Sequence, residues 1–434
     1  MSAFAYGELL ARLLPARRFG IVLGLERMRA LLDRLGAPDR ELGTIVHVGG
    51  TNGKGSTVAM IAALARAGGA RVATYTSPHL STLRERIVID GDLIAEAAIV
   101  AAGARVAAAG GGDLTFFEQV TAIAFVAIAA ARVDVTVVEV GLGGRLDATN
   151  VVDAQIAVVT GIALDHEAIL GTTLAAIAAE KAGIWKAGQH AIVGASGEAA
   201  AVSMLVDAAH AAGARVTVID AAAIAAVPPV GLAGAHQRHN AASALAAIDL
   251  LVARGVIELD QAAREHALAQ VRHPGRFEVI EGAEVADALA GVRLILDGAH
   301  NPHGAAALAE TLRERGERPL LIVAVSADKD VAAIAAALTP VVGDVIATRF
   351  QLERAMDPDA LASVFRDAML GAPGDRTATT APHLPAALSL AHASGESTIL
   401  IAGSLFLIGE ARTLLLGAPT DPVRVSDPSA VPIH

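Results

Sequence analysis

The sequence predicts an α/β fold with two domains, each built around a mostly parallel sheet. Short runs rich in β-branched residues recur, and each is followed by a polar, glycine-bearing segment and then by a helical pattern. The runs lack strict alternation of apolar and polar residues, which is typical of parallel strands buried on both faces. They lie at residues 45–48, 71–76, 135–140, 156–160, 292–296, 320–325 and 398–402.

A long alanine-rich stretch separates the two sets of strands. Residues 181–270 are expected to form helices and loops, and Pro274-Gly275 is expected to end the last helix of this stretch. We therefore expect an N-terminal domain at residues 1–273 and a C-terminal domain at residues 274–434. The proline-rich end of the chain, from Leu414 onward, is expected to be frayed.

The composition argues against several classes of protein. The chain has 434 residues and no cysteine, which excludes disulfides, thiolate metal sites and cysteine nucleophiles. Its net charge of −11 argues against a nucleic-acid surface, which needs a concentrated basic patch. The apolar run at 122–131 is too short to span a membrane, and Glu8 and Arg12 interrupt the apolar core that a signal peptide needs. We expect a soluble, cytoplasmic protein that binds neither nucleic acid nor membrane.

Polar segments follow the predicted strands at the points where the strands end. In parallel sheets, ligands bind beyond the carboxyl ends of the strands. The sequence therefore predicts a ligand site along this edge. The segments are GGTNGKGST, SPHLSTLRER, GLGGRLDATN, GIALDHEAILG, DGAHNPHG and SADKD.

Residues 44–57, TIVHVGGTNGKGST, combine a short strand with a glycine-rich turn and a lysine. The turn differs from the usual pattern G-x-x-x-x-G-K-[ST], because Gly55 separates Lys54 from Ser56. Backbone N–H groups at a helix N-terminus nevertheless bind phosphate oxygens, and the lysine adds a positive charge. The sequence favours a nucleotide phosphate site here. The alternative is a glycine-rich turn with a solvated lysine.

Three further residues are candidates for a metal site. Glu139 ends a predicted buried strand, where a carboxylate is costly unless it is paired or bound to a metal. Ser77 follows a second strand, and His166 follows a third, beside Asp165. In a chain without cysteine, a nucleotide-bound metal would be Mg²⁺ on oxygen ligands. For His166 the alternative is a hydrogen-bonded structural histidine.

These segments resemble the bifunctional dihydrofolate synthase/folylpolyglutamate synthase family, which is related to the Mur ligases. The resemblance covers nearly the whole chain and implies an N-terminal P-loop-type ATPase domain followed by a smaller C-terminal Rossmann-like α/β domain. The matching words, in chain order, include GTNGKGS, YTSPHLSTLRERI, LTFFEQVTAIAF, VVEVGLGGRLDATNVV, GIALDHEAILG, AAEKAGIWK, HQRHNAASAL, HPGRFEVI, LILDGAHNPHGAAAL and IAGSLFLIGE.

The resemblance also implies ligands and their residues. It implies Mg²⁺ contacts for Ser77, Glu139 and His166, and a Lys181 carbamylated by CO₂ that helps to hold a second Mg²⁺. Carbamylation requires a neutral amine and so a lowered lysine pKa. On spacing alone, Lys181 would be a surface lysine. The ATP contacts that it implies are Thr51, Asn52, Gly53, Lys54, Gly55, Ser56, Asn240, Arg276 and Asp297.

The implied reaction joins L-glutamate to dihydropteroate or to the glutamate tail of a reduced folate. A substrate carboxylate attacks the γ-phosphate of ATP, and the acyl phosphate is then attacked by the amine of glutamate. The implied pterin contacts are Phe117 and Asp147; Phe117 and its neighbour Phe116 are alternatively core residues. The residues implied in catalysis are Lys54, His166, Lys181, Asp297 and His300.

We expect a monomeric, bifunctional enzyme that uses ATP as co-substrate with Mg²⁺. Three alternatives stay open: a monofunctional folylpolyglutamate synthase, a Mur-type amino-acid ligase and a non-catalytic ATP-binding homologue. For Arg276, which the resemblance places on the phosphates, the alternative is an interdomain salt bridge.

Overall fold

The computed structural model describes residues 3–20, 22, 24–281, 291–370 and 375–427. The chain forms two compact units. The first contains the chain up to residue 231, residues 237–271 and the chain from residue 421, and the second contains residues 232–236 and 272–420. The expectation of one C-terminal domain at 274–434 differs from this division, because residues 421–427 pack within the first unit.

An eight-stranded sheet forms the centre of the first unit. Its strands are β1 (Thr44–Gly49), β2 (Val72–Tyr75), β3 (Ile87–Ile89), β4 (Asp92–Leu93), β5 (Val135–Glu139), β6 (Ile156–Val159), β7 (His190–Val193) and β8 (Arg215–Val218). Their order in the sheet is β4-β3-β2-β5-β1-β6-β7-β8. The pairs β2–β3 and β3–β4 are antiparallel, and the other pairs are parallel.

Helices connect these strands in the chain up to residue 270. They are α1 (Ala3–Leu13), α2 (Glu26–Arg34), α3 (Lys54–Ala67), α4 (Glu96–Ala108), α5 (Phe116–Ala131), α6 (Glu167–Leu170), α7 (Leu174–Ala182), α8 (Ala200–Ala211), α9 (Ala221–Ala225), α10 (His236–Ala253) and α11 (Gln261–Gln270). Short 3-10 helices lie at Leu14–Phe19, Pro38–Arg40, Leu83–Arg86, Gly111–Asp113 and Ala148–Val151.

Helix α5 illustrates how the core of the first unit forms. The helix begins at a capping box, in which the Thr115 hydroxyl accepts from the Glu118 N–H and the Glu118 carboxylate accepts from the Thr115 N–H. Alanine and branched apolar residues cover nearly all of its surface, and most of them are buried. The helix therefore packs as a central element, against α4 and the β2–β5 side of the sheet.

The register of the sheet brings the carboxyl ends of four strands to one edge. Val48 of β1 lies opposite Glu139 of β5, and Gly49 lies opposite Val159 of β6. On the other side of β5, Tyr75 at the end of β2 lies opposite Val138. β1 lies between β5 and β6. From β1 the strand order runs to β5 and β2 on one side and to β6, β7 and β8 on the other, so it reverses at β1. Crevices for ligands occur where the order of strands reverses in this way.

The second unit is built on a six-stranded sheet with the order β13-β12-β11-β14-β10-β9, in which only β9 and β10 pair in antiparallel fashion. Its strands are β9 (Glu278–Ile280), β10 (Arg293–Asp297), β11 (Leu320–Val323), β12 (Val345–Ala347), β13 (Ala378–Thr380) and β14 (Thr398–Ala402). Its helices are α12 (Pro302–Glu314), α13 (Val331–Leu338), α14 (Pro358–Met369), α15 (Leu384–Ala393) and α16 (Leu405–Leu416), with a 3-10 helix at Thr339–Val341.

The predicted α/β class with mostly parallel sheets is confirmed. Two expectations were wrong. Residues 181–270 contain strands β7 and β8 besides helices and loops, and Leu414 lies inside helix α16. Residues 421–427, here called the C-terminal strap, make hydrogen bonds within the first unit and are not frayed. In the parts of the chain that the structure describes, no helix is long and apolar enough to cross a membrane.

Candidate active site

The glycine-rich turn joins the end of β1 to the start of α3. Gly50 and Gly53 have positive φ angles of 137° and 82°, which favour glycine. Gly53 is the N-cap residue of α3 and, as a glycine, has no side chain with which to cap the helix. Uncapped N–H groups at a helix N-terminus form an anion site. The predicted strand–turn–helix arrangement is therefore present, and its geometry suits a phosphate.

Two threonines fix the shape of this turn. The Thr51 hydroxyl donates to the carbonyl oxygen of Ala163 (3.1 Å) and accepts from the Ala163 N–H (3.0 Å). The Thr160 hydroxyl donates to the carbonyl oxygen of Asn52 (2.6 Å). Sequence reasoning missed Thr160, because a threonine at the end of a β-branched run carries no signal beyond its strand propensity.

Two lysines meet at the carbonyl oxygen of Gly50. Lys54 Nζ donates to Gly50 O and Thr51 O, both at 3.0 Å, and Lys181 Nζ donates to Gly50 O at 3.1 Å. Lys181 is 5% exposed, so it is not a surface lysine. Burial, followed by the charge of Lys54, lowers the pKa of Lys181 to about 7 against the opposing charge of Asp165. The site thus holds a buried amine whose pKa lies near neutral pH.

A carboxylate lies at the end of β5, beside the loop that follows β2. The buried Glu139 accepts a hydrogen bond from the backbone N–H of Ser77 (3.1 Å). This contact brings together two of the predicted metal-contacting residues. His166 adopts a positive φ of 53°, and its N–H donates to Asp165 Oδ1 (2.9 Å). The carboxylate of Asp165 thus supports the backbone at His166.

The donor set fits a hard divalent cation that arrives with a nucleotide. Among the described residues, no three His, Asp or Glu side chains gather into a metal site of their own. Mg²⁺ needs only one or two protein carboxylates when phosphates and waters supply its other ligands. Glu139 with the adjoining Ser77 meets that requirement.

The Asp147 carboxylate is buried and accepts hydrogen bonds from two backbone N–H groups and one hydroxyl. It accepts from the N–H of Leu142 (2.8 Å), the N–H of Thr149 (3.0 Å) and the hydroxyl of Thr149 (2.5 Å). Burial raises the pKa of Asp147 against these hydrogen bonds. The Thr149 hydroxyl also contacts Nε2 of the buried His47 (2.9 Å), a partner that sequence reasoning missed.

The two neighbouring phenylalanines differ in their surroundings. Phe116 is fully buried, with the Arg86 guanidinium 5.5 Å from its ring centre, so it is a core residue. Phe117 is partly buried, and its ring lies so close to Gly141 that a Cβ there would be 2.4 Å from Phe117 Cζ. The candidate pterin residue Phe117 therefore borders the loop that follows β5.

Asn240, on α10, lies against the glycine-rich turn. A Cβ at Gly53 would lie 2.2 Å from Asn240 Oδ1. The buried amide accepts from the Ser196 hydroxyl (2.8 Å) and donates to Gln237 (3.0 Å). These partners fix its orientation beside the turn. Ser196 was not predicted, because it lies in a loop without any recognisable pattern.

The remaining predicted residues lie together in the second unit, at the end of β10. The Asp297 carboxylate accepts from the N–H groups of Phe277 and Ala299, both at 2.8 Å. Burial raises the pKa of Asp297, and Arg276 opposes that shift. His300 Nδ1 lies 2.8 Å from the carbonyl oxygen of Gly298, so this nitrogen donates. Asp297 and His300 thus order one polar turn.

Comparison with known proteins gives two family matches. Residues 48–226 match the Mur ligase middle domain, and residues 275–405 match the Mur ligase glutamate ligase domain. The dihydrofolate synthase/folylpolyglutamate synthase of Mycobacterium tuberculosis is 36% identical over 90% of this chain and 89% of its own length. A probable bifunctional folylpolyglutamate synthase/dihydropteroate synthase of Halobacterium salinarum is 38% identical over 94% of this chain, which spans only 51% of that relative.

Two solved structures resemble the fold closely. The Mycobacterium tuberculosis folylpolyglutamate synthase complexed with ADP aligns with a TM-score of 0.85 and 33% identity, over 96% of this chain and 100% of that chain. A bifunctional folylpolyglutamate synthase/dihydrofolate synthase with Mn, AMPPNP and L-glutamate bound aligns with a TM-score of 0.77 and 30% identity, over 91% of this chain and 94% of that chain.

Proposed function

Because the chain belongs to the dihydrofolate synthase/folylpolyglutamate synthase family of Mur ligases, we propose that it is an ATP-dependent ligase. It joins L-glutamate to dihydropteroate and to the glutamate tail of reduced folates, giving ADP and phosphate. The observation that carries this proposal is the pair of lysines, Lys54 and Lys181, that converge on Gly50 beside the uncapped start of α3.

ATP binds with its phosphates on the glycine-rich turn. The backbone N–H groups at the start of α3 and the charge of Lys54 are the groups that phosphate oxygens require. Asn240, held by Ser196 and Gln237, contacts the adenine. Relatives of the chain have been solved with ADP and with AMPPNP, which supports a nucleotide at this turn.

A divalent cation, Mg²⁺ in our proposal, is held by Ser77, Glu139 and His166 together with the phosphates. When bound, it neutralises the charge that develops on the transferred phosphoryl group. The Ser77 N–H orients the Glu139 carboxylate, and Asp165 orients the backbone of His166. A related structure contains Mn with AMPPNP, which supports a divalent cation in this family.

Lys181 is carbamylated in the active protein. With a pKa of about 7, about half of the amine is neutral at pH 7, and only the neutral amine adds to CO₂. The amine nitrogen forms a bond to the carbon of CO₂ and releases one proton, so the neutral amine becomes a carbamate anion. This anion attracts the charge of Lys54, whereas the ammonium form of Lys181 would repel it. The new carboxylate supplies oxygen ligands for a second cation.

The chain's own groups act in two steps. Lys54 stabilises the charge on the γ-phosphate as the substrate carboxylate attacks it, the bond to the β-phosphate oxygen breaks and ADP leaves. The acyl phosphate is then attacked by the amine of glutamate, and phosphate leaves. Arg276 binds phosphate oxygens, while Asp297 and His300 hold the turn that orients the incoming amino acid.

The pterin ring packs against Phe117, and Asp147 contacts its polar edge. Phe117 is the phenylalanine of the pair that is only partly buried, and an aromatic ring suits a flat partner such as a pterin. Asp147 is held in place by the N–H groups of Leu142 and Thr149.

Phosphate release tests the proposal. The purified chain is incubated with Mg-ATP and L-glutamate, with dihydropteroate in one reaction and tetrahydrofolate in another. Turnover with both substrates is the expected result. Turnover with tetrahydrofolate alone would identify a monofunctional folylpolyglutamate synthase. A folded chain that binds ATP but turns over neither substrate would contradict the proposal.

A further inference from the structure

The C-terminal strap (residues 421–427) is bound mainly to residues 77–86 of the first unit and also to Tyr6 on α1. Asp421 accepts from the hydroxyl of Thr82 (2.5 Å), the N–H of Leu83 (2.8 Å) and the hydroxyl of Tyr6 (2.9 Å). Asp421 is therefore a multiple acceptor that fixes the start of the 3-10 helix Leu83–Arg86. Val425 and Ser426 of the strap are buried.

A closed set of hydrogen bonds links the strap to His79 and Arg86. Arg86 Nε donates to His79 Nδ1 (2.8 Å), so Nε2 of His79 carries the proton and donates to the Val425 carbonyl oxygen (2.8 Å). Arg86 Nη2 donates to the carboxylate of Asp427. The strap thus contacts both ends of the His79–Arg86 pair.

The positive charge of Arg86 is paired with a carboxylate of the strap. The Arg86 side chain is fully buried between Phe116 and the strap. Among the residues that the structure describes, Asp427 forms the ion pair with it. A buried guanidinium without an acidic partner is strongly unfavourable. His79 accepts a hydrogen bond from Arg86 but carries no negative charge in either protonation state, so it cannot take the place of Asp427.

The segment that the strap holds ends at the candidate metal site. Ser77, two residues before His79, donates its N–H to the Glu139 carboxylate. Between Ser77 and Arg86, the Glu85 carboxylate accepts from the N–H groups of Leu80 and Ser81, which makes the segment a compact loop. This loop joins His79 and Arg86, which contact the strap, to Ser77, which contacts Glu139.

We propose that the C-terminal strap positions Ser77 and, through it, the metal-binding carboxylate of Glu139. Asp427 and Asp421 are positioning residues in this proposal, since they act through their hydrogen bonds to residues 82–86. The proposal rests on the function proposed above, because it takes Ser77 and Glu139 as cation ligands. Groups that orient metal ligands typically change metal affinity by about 10-fold to 100-fold when they are removed.

The test compares Asp427→Asn with the unaltered full-length chain. Mn²⁺ binding in the presence of a non-hydrolysable ATP analogue is measured by electron paramagnetic resonance, and ADP binding without metal is measured by calorimetry. Hydrogen exchange of residues 77–86 is followed by mass spectrometry. Asp92→Asn, which changes an exposed acid on β4 of the same unit, is the matched control. Asp427→Glu restores the charge.

We expect Mn²⁺ to bind about 10-fold more weakly to Asp427→Asn. Exchange at residues 77–86 should be faster, and ADP affinity unchanged. Asp427→Glu should recover most of the Mn²⁺ affinity, and Asp92→Asn should match the unaltered chain. If Asp427→Asn fails to fold, Asp421→Asn is measured in its place, and the same changes in Mn²⁺ affinity and hydrogen exchange are expected.

Unchanged Mn²⁺ affinity in a variant with faster exchange would overturn the proposal, because the strap would then stabilise the loop without serving the site. That result would leave the proposed ligase function intact. If the unaltered chain bound no Mn²⁺ with the nucleotide and released no phosphate, the proposed function and this inference would both fail.

Discussion

The side-chain amino groups of Lys54 and Lys181 donate to the same carbonyl oxygen, that of Gly50, at 3.0 and 3.1 Å. Two ammonium groups that share one acceptor repel each other, and burial of Lys181 increases the cost. The arrangement is therefore most stable when Lys181 is neutral, when it is converted to an anion, or when a phosphate lies between the lysines.

The first prediction concerns the pH dependence of stability. The pKa of Lys181 is about 7 in the folded chain, against the ordinary lysine value of 10.5 that applies to the unfolded chain. At pH values between these two, the unfolded chain therefore binds more protons than the folded chain. The free energy of unfolding should therefore rise with pH from about 7 to 10, by up to about 1.4 kcal/mol per pH unit from this group. Lys181→Met should flatten this rise.

Urea denaturation at a series of pH values, in CO₂-free buffer, measures this slope. Lys329→Met, which removes a lysine of the second unit, is the control and should keep the rise. An identical slope in Lys181→Met and in the unaltered chain would show that Lys181 is charged in the folded state.

The second prediction concerns the carbamate. Lys181→Ala should lower kcat for phosphate release by roughly 100-fold or more, since a charge-stabilising group is lost. Acetate or formate should restore part of the activity, because a small carboxylate fits the space left by the side chain. Full activity of Lys181→Ala without added carboxylate would exclude a required carbamate.

The third prediction separates backbone strain from function in the glycine-rich turn. Gly53 and Gly69 have similar φ angles, 82° and 86°, but a Cβ at Gly53 would meet Asn240, whereas nothing lies within 4 Å of a Cβ at Gly69. Both Gly→Ala variants should lose about 1–2 kcal/mol of stability from the left-handed conformation. Gly53→Ala should lose more than Gly69→Ala, because its Cβ also displaces the Asn240 amide. Only Gly53→Ala should also lose affinity for ADP.

Urea denaturation and calorimetric ADP titration of the two variants make this comparison. Equal ADP affinity in Gly53→Ala and Gly69→Ala would argue that the turn does not bind the nucleotide.

The fourth prediction distinguishes the two phenylalanines. Phe116→Ala removes a fully buried side chain and should destabilise the chain by about 3–5 kcal/mol. Phe117→Ala should cost less stability, because the ring is only partly buried, yet it should raise the KM for dihydropteroate. Thermal unfolding and phosphate-release kinetics test the pair. A large loss of stability with an unchanged KM in Phe117→Ala would assign Phe117 to the core.

The sequence predicted the strands β1, β2, β5, β6, β10, β11 and β14, and missed the other strands that the structure describes. Among those missed is the buried β7, which lies in a stretch expected to form only helices and loops. Central parallel strands are buried on both faces and give unbroken apolar runs, as at residues 135–140 and 398–402. β8 is mostly exposed, and β3, β4, β12 and β13 have only two or three residues. Such short or exposed strands form through tertiary pairing, which local patterns do not indicate.

The candidate site could be predicted in part. The turn around Lys54 and the carboxylate of Glu139 follow from their positions at strand ends. The convergence of Lys54 and Lys181 on Gly50 could not, because it depends on how α7 packs against the sheet. The strap was missed for a similar reason: its hydrogen bonds to Thr82, Leu83, His79 and Arg86 span 338 to 346 residues of sequence.

The separation of 341 residues between Arg86 and Asp427 has a consequence for synthesis of the chain. The strands and helices of the first unit end at residue 270, so they are synthesised long before the strap. During that interval Arg86 has no Asp427, and its burial is unfavourable. We expect nascent chains that stop before residue 421 to stay open to proteases, and chains that reach residue 427 to become resistant.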